Sequence, residues 1–187
     1  ELKERYGQNI NIVLGGAQVT KHAEYLSRDK NVYDLVDFLV VRDGEEPLLK
    51  LLSAFPEKNY LNVSNLYSKD PQAQGLYQKS EGVFFMHPHD FLVPDFTGFE
   101  IMDYEDSVPL MVSKGCPWAQ CSFCSYASMR HGIYYAASPE RTIAIIKKAQ
   151  EIYGADEFYF LDDALLPKFM GELAEGLIKN NIDIKWG

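Results

Sequence analysis

GCPWAQCSFCSY, residues 115–126, holds all three cysteines of the chain, at Cys116, Cys121 and Cys124, around Trp118 and Phe123. The apolar run Val108-Pro109-Leu110-Met111-Val112 delivers the chain directly to them and reads as a buried strand. Downstream, Ser138-Pro139-Glu140 is a helix start, with Ser as N-cap, Pro at the first helical position and an acid in the first turn. Ile143, Ile146 and Ile152 give that helix an apolar stripe, and Gly154 ends it. A strand at 157–161, a helix at 167–179 and a strand at 182–186 follow. The cysteines therefore leave the C-terminal end of a strand in a β-α-β-α-β series, which is where such folds place their chemistry.

Before the loop the pattern is similar but separate. NINIVL (9–14) is a short β-rich run stopped by Gly15-Gly16, an amphipathic stretch covers 18–27, and DFLVVR (37–42) is a second buried strand. A helix follows at 45–54, with Pro47 in its first turn and acids at its positive end. Short connections between alternating strands and helices favour a parallel sheet covered by helices. From Pro56 to Ser107 the periodicity fails, apart from one expected hairpin in GLYQKSEGVFFM (75–86) with a turn at Ser80-Glu81-Gly82. The expected organisation is an α/β domain at 1–55, a connector at 56–107 and a second β/α unit at 108–187.

The 187 residues are 47% hydrophobic and 24% charged, enough for a packed core, and carry a net charge of −9. That charge disfavours nucleic acid, whose affinity comes from clustered Lys and Arg. No run approaches the roughly 20 apolar residues of a spanning helix, and no leader pattern is visible, so the expectation is a cytoplasmic chain without a membrane partner.

Three thiols on one loop admit three readings. A disulfide would use two and strand the third, with no redox reason in a cytoplasmic chain. Zinc wants a fourth ligand, for which His131 is the nearest candidate. A cubic iron–sulfur cluster uses three thiolates for three irons and leaves the fourth iron open to a small molecule. His87-Pro88-His89 looks like a metal pair but reads better as solvated histidines in a polar connector. Lys147-Lys148 reads as a solvated helix face, and Tyr134-Tyr135 as packing.

Gly115-Cys116-Pro117-Trp118-Ala119-Gln120-Cys121-Ser122-Phe123-Cys124 resembles the cluster loop of the radical S-adenosylmethionine (SAM) enzymes, usually Cys-x3-Cys-x-aromatic-Cys, with one extra residue in the first gap. The resemblance implies a partial (β/α)6 barrel at 108–187 and a 4Fe-4S cluster on Cys116, Cys121 and Cys124. It also implies reductive cleavage of SAM to a 5'-deoxyadenosyl radical, chemistry that side chains alone cannot perform. Phe123 is then placed along the adenine, with Tyr126 a weaker candidate for the same pocket. Asp162 or Asp163, after the second barrel strand, would accept the methionyl ammonium, and a reducing partner such as flavodoxin or ferredoxin would supply electrons.

Ile12-Val13-Leu14-Gly15-Gly16 followed by Asp37-Phe38-Leu39-Val40-Val41-Arg42-Asp43-Gly44 is similar to the later half of the Rossmann-like cobalamin-binding domain found upstream of many such barrels. There Gly15 and Gly16 would let the backbone approach the cofactor's nucleotide tail. The early part of that domain, with its Asp-x-His-x-x-Gly loop, is not among these residues, so cobalamin and methyl transfer are expectations for a longer parent protein. A loose Pro-Asp-Phe-x-Gly-Phe likeness at 94–99 falls in the connector. The contrasting reading is a non-catalytic iron–sulfur or zinc module for electron transfer or assembly, and the open iron separates the two. The substrate is not legible.

Overall fold

The computed structural model describes residues 1–73, 75–98, 107–126 and 133–187. The chain forms two compact units, Glu1–Met86 and His87–Gly187.

In the first unit α1 (Leu2–Tyr6) precedes β1 (Val13–Leu14), α2 (Ala17–Leu26), α3 (Lys30–Leu35), β2 (Phe38–Val40), α4 (Glu45–Ala54), β3 (Leu66–Lys69) and β4 (Tyr77–Lys79). The sheet order is β1-β2-β3-β4. β1 and β2 are parallel, whereas β3 and β4 are added antiparallel, so the sheet is mixed rather than wholly parallel. DFLVVR is readable as a buried strand because both its faces are covered: Leu39 and Val41 pack with Val19 and Ala23 of α2, while Phe38 and Val40 pack with Leu51 of α4. One helical layer thus lies on each face.

The segment from Pro56 to Met86, expected as connector, supplies β3 and β4. The expected hairpin within 75–86 does not form, because Tyr77–Lys79 pairs backwards with Tyr67–Lys69 and not forwards with 83–86. Gly82 does sit at φ 86, so the turn signal is real. Beyond that turn, Asn65 takes hold of the chain: its amide oxygen accepts the Phe84 N–H at 3.0 Å, and its Nδ2 donates to the Phe84 carbonyl at 2.7 Å.

The second unit comprises β5 (Val108–Leu110), β6 (Ser113–Lys114), β7 (Tyr135–Ala136), α5 (Pro139–Tyr153), β8 (Glu157–Phe160), α6 (Pro167–Lys179) and β9 (Lys185–Trp186). β5, β8 and β9 form a parallel sheet in that order, with α5 and α6 as the intervening crossovers. The Ser138 hydroxyl accepts the Arg141 N–H at 3.2 Å as the N-cap, and Gly154 closes α5 in the left-handed region at φ 66. The buried stripe of α5 is Thr142, Ile143, Ile145, Ile146 and Ala149, while Ile152 is exposed. Together with Phe158 and Phe160 of β8 and Phe169, Leu173 and Leu177 of α6, the apolar members of that stripe form one core on one face of the sheet. On the other face Tyr159 is 55% exposed. This β/α/β/α/β order matches the alternation read from the sequence. Among the described residues no helix is long and apolar enough to cross a membrane.

Candidate cysteine-loop site and glycine groove

The cysteine loop hangs from a short two-stranded ladder. β6 pairs antiparallel with β7, Ser113 opposite Ala136 and Lys114 opposite Tyr135, so residues 115–134 form one excursion closed at its base. Gly115 makes that closure possible. Its φ is 95, and a Cβ there would stand 2.0 Å from the Ile133 carbonyl oxygen and 3.1 Å from the Tyr134 Cα. Only glycine fits, by conformation and by space. The Tyr126 hydroxyl accepts the Gly115 N–H at 3.3 Å and ties the loop's far side back to its start. Tyr126, expected as a candidate for the adenine pocket, is thus engaged at the loop base.

Around this base the thiols differ in exposure: Cys116 is half-buried, Cys121 and Cys124 are exposed, and all three are free. The Cys124 N–H donates to the Cys121 carbonyl at 3.2 Å, a tight turn that holds the second pair together. Phe123 is 90% exposed and Trp118 63% exposed, so neither is a core residue here. Among the described residues no three His, Cys, Asp or Glu side chains already surround a common point as metal ligands. The cysteines share a loop without having converged, as is common for sites that order on metal binding. His131 lies outside the described residues.

Asp162 follows β8 and reaches across to the end of β5. Its carboxylate accepts the Val112 N–H at 3.2 Å and also the Ser113 N–H. Burial pushes its pKa up, against the pull of the Ser113 hydroxyl and those N–H donors, and the neighbouring Asp163 charge pushes the same way as burial. This carboxylate is committed to fixing the strand that carries the cysteine loop. Asp163 is exposed at the same strand end. The Ser113 hydroxyl acts on the Asp162 charge, whereas the hydroxyl of Tyr134, the residue before β7, is buried without a hydrogen-bond partner. A polar atom left in that state on the residue that ends a three-thiol loop is what a site built for a polar ligand would leave, since buried polar groups are otherwise paired. The donor set therefore fits a thiolate-bound cluster with a polar small molecule beside it.

A strap from His87 to Phe96 braces the same unit. The Arg141 guanidinium donates to the His89 carbonyl at 3.1 Å and the Phe91 carbonyl at 2.7 Å. The Tyr153 hydroxyl accepts the Phe96 N–H at 2.9 Å and donates to the Pro94 carbonyl. His87 and His89 stack on one another at 5.1 Å, and His87 meets Tyr135 at 5.3 Å, so the pair packs against the loop base.

In the first unit a groove of about 460 Å³ opens at the C-terminal ends of β1 and β2, between the N-termini of α2 and α4. Gly15, Gly16, Arg42, Asp43 and Gly44 line it. A Cβ on Gly15 would meet the Val40 carbonyl at 3.3 Å, and Gly16 has φ 94 with open space before it. The carboxyl-end crevice of parallel strands is the usual ligand position in such sheets, and helix N-termini favour anions there. Its floor is pinned: the Arg42 N–H donates to the Thr20 hydroxyl at 2.7 Å, which donates to the Gly16 carbonyl at 2.9 Å. Buried Asp43 accepts the Met86 N–H at 2.8 Å. Sequence reasoning finds the glycines but not Arg42 and Asp43 as lining residues. Their signal is position, immediately after a buried strand.

No protein-family model matches the chain, and no curated protein does either. Solved structures do. The cobalamin-dependent S-adenosylmethionine radical enzyme OxsB with aqua-cobalamin bound superposes with a TM-score of 0.71 at 20% identity, over 99% of this chain and 27% of that one. OxsB with aqua-cobalamin and S-adenosylmethionine bound gives 0.68 at 19% identity, over 94% of this chain and 25% of that one. The radical S-adenosylmethionine methyltransferase TsrM from Kitasatospora setae, with tryptophan substrate and the SAM analogue aza-SAM bound, gives 0.66 at 14%, over 95% of this chain and 34% of that one. The chain thus has the fold of part of these proteins and spans about a quarter to a third of their length.

Proposed function

We propose that the chain is part of a cobalamin-dependent radical SAM enzyme, in which Cys116, Cys121 and Cys124 hold a 4Fe-4S cluster. The observation that carries this reading is the three-thiol loop itself, closed by Gly115 after β5 and β6 with the unpartnered Tyr134 hydroxyl at its end. The likeness in fold to OxsB and TsrM supports it independently. When bound and reduced, such a cluster supplies the electron that breaks the carbon–sulfur bond of SAM.

The chain's own residues divide the remaining work. Asp162 fixes the strand end beneath the loop. Asp163, at the same strand terminus, is the carboxylate left to accept the methionyl ammonium. Phe123, standing out from the loop next to Cys124, offers an open ring face for the adenine. Ser113 and Tyr134 contribute hydroxyls. In the first unit Gly15 and Gly16, with the groove they line, would take the cobalamin tail. Electron delivery falls to a small reductant such as flavodoxin or ferredoxin, and methyl transfer is the reaction class expected of the longer parent.

The test is the electron paramagnetic resonance spectrum of the anaerobically reconstituted, dithionite-reduced protein with and without SAM. A reduced-cluster signal that SAM shifts supports an open iron and the enzyme reading. A signal indifferent to SAM would assign the loop to electron transfer, and retained zinc without a cluster would assign it to a structural site.

A further inference from the structure

Asparagine is mostly a surface residue, because a buried amide must find a partner for each of its polar atoms. Asn65 is only 4% exposed, and segments remote in sequence supply those partners. Its Nδ2 donates to the Asp43 carbonyl at 3.1 Å and to the Phe84 carbonyl at 2.7 Å, and its Oδ1 accepts the Phe84 N–H at 3.0 Å. Its own carbonyl accepts the Val41 N–H at 2.9 Å. The backbone does this at φ 58, in the left-handed region that asparagine enters more readily than most residues.

Through Asp43 this clamp reaches the glycine groove, whose wall includes residues 42–44. Arg42 also lies in the left-handed region, at φ 63, which an arginine keeps only where its surroundings hold it there. Three bonds to other segments do so: the Arg42 N–H on the Thr20 hydroxyl, the Asp43 carbonyl on Asn65, and the Asp43 carboxylate on the Met86 N–H. Residues 84–86 are engaged in turn, Phe84 by Asn65, the Phe85 ring by the Arg42 guanidinium at 5.0 Å and Met86 by Asp43. Asn65 therefore bonds both the groove wall and the segment that braces it.

We infer that Asn65 is a positioning residue for the groove's ligand: its amide holds the strained 42–44 loop in the shape that receives cobalamin, an inference that rests on the cobalamin reading above. A strained loop that loses its clamp relaxes toward conformations that do not fit, and apparent affinity falls with the fraction still competent. Losing two or three hydrogen bonds shifts that fraction by about tenfold. Asn65 is not among the described residues that line the groove, so it acts through Asp43 and not by touching the ligand.

The experiment is equilibrium dialysis of the full chain against aquacobalamin, with bound cobalamin read from its visible absorption, for the unaltered protein and for Asn65→Gly, Asn65→Asp and Tyr77→Phe. Circular dichroism gives the folded fraction of each. Glycine keeps the left-handed backbone and removes the amide; aspartate keeps an acceptor for the Phe84 N–H and loses both donors. Both are expected to bind aquacobalamin about tenfold more weakly, with faster hydrogen exchange at the Arg42 and Met86 amides before ligand is added. Tyr77→Phe removes the hydroxyl bonded to the Val36 carbonyl at 2.8 Å, before β2 and so away from the groove. It is expected to lower stability and leave affinity unchanged, because a destabilised protein that is still folded keeps its Kd. Unchanged affinity in whichever Asn65 variant folds, an equal loss in Tyr77→Phe, or failure of both Asn65 variants to fold would overturn the inference. An unaltered protein that binds no aquacobalamin would overturn the cobalamin reading itself, and the inference with it.

Discussion

Gly115→Ala should cost far more than an ordinary glycine substitution, and the structure supplies its own control. At Gly115 the added methyl would face two penalties. The residue sits at φ 95, where a side chain costs about 1–2 kcal/mol. The Cβ would also lie 2.0 Å from the Ile133 carbonyl oxygen, and the obstruction is backbone that cannot rotate aside. Relief requires β6 and β7 to part, with the loss of two ladder hydrogen bonds at about 1 kcal/mol each. The total is about 3–4 kcal/mol, a large fraction of a typical domain's stability. Gly154 also has a positive φ, 66, but nothing lies within 4 Å of the point where its methyl would stand, so Gly154→Ala should incur only the first penalty.

Urea unfolding of the two variants, followed by far-ultraviolet circular dichroism, measures the difference directly. Gly115→Ala is expected to lie at least ~2 kcal/mol below Gly154→Ala, the cost of the two ladder bonds. Iron loading should fall in the first and survive in the second, because the loop loses its closed base. Equal stabilities and equal iron content would refute the idea that the β6–β7 closure depends on a missing Cβ.

Other consequences are equally direct. Alanine at any one of Cys116, Cys121 or Cys124 should abolish cluster formation, as judged by iron and sulfide content; full iron in any single variant would remove that thiol from the set. Asp163→Ala should leave iron content intact and weaken the SAM-induced spectral shift about tenfold, the loss of one charge-assisted hydrogen bond. Tyr153→Phe strips the acceptor from the Phe96 N–H and should cost about 1–3 kcal/mol, with faster hydrogen exchange at that amide. Burial pushes the Asp37 carboxyl up, but Lys3, the Ile12 N–H and Lys69 together outweigh it and hold the group below its ordinary value. That stabilisation is complete above the unfolded value near 4 and is lost as pH falls through the lower folded value. Asp37→Asn should therefore flatten the acid limb of the stability curve, while an unchanged limb would discount the cluster of charges.

What can be read from sequence is what one segment decides alone. DFLVVR announces a strand buried on both faces, and Ser138-Pro139-Glu140 with Gly154 announces both ends of α5, because caps and apolar runs act over a few residues. Partnership is not legible. Tyr77–Lys79 offers a turn after it, yet its mate is Tyr67–Lys69, in a segment where Asn65, Ser68 and Lys69 hide a strand behind polar letters. Those residues are buried or half-buried because Asn65 bonds Phe84 and Asp43 across the fold, and Lys69 pairs with Asp37. In α5 the sequence pattern points to Ile152, although the buried stripe runs through Ile145 and Thr142, where the rest of the unit approaches. The cysteines are visible as chemistry. The residues that stiffen their surroundings, Gly115, Asp162 and Arg141, act through contacts up to 52 residues apart, which no short stretch of sequence displays.

The cysteine loop combines a rigid base with exposed ligands, and the two properties support each other. A cluster held by three thiolates needs loop freedom to gather Cys121 and Cys124, which here stand in solvent. That same freedom would let the ligand set drift if the loop were anchored only by its own turn. Closure by the β6–β7 ladder, the Tyr126 hydroxyl on Gly115 and the Asp162 carboxylate on the Val112 and Ser113 N–H groups confines that freedom to the segment beyond Gly115. Ordering a short segment on binding costs about 1–2 kcal/mol per residue of backbone entropy. Metal–thiolate bonding is strong enough to offset such a cost. It follows that the base should be protected from hydrogen exchange before any metal is added, with the amides of Ser113 and Ala137 slow, whereas those of Ser122 and Phe123 should become protected only on iron loading. Uniform fast exchange across 113–126 in the apo protein would mean that the cluster organises its own loop, and that the ladder contributes nothing to it in advance.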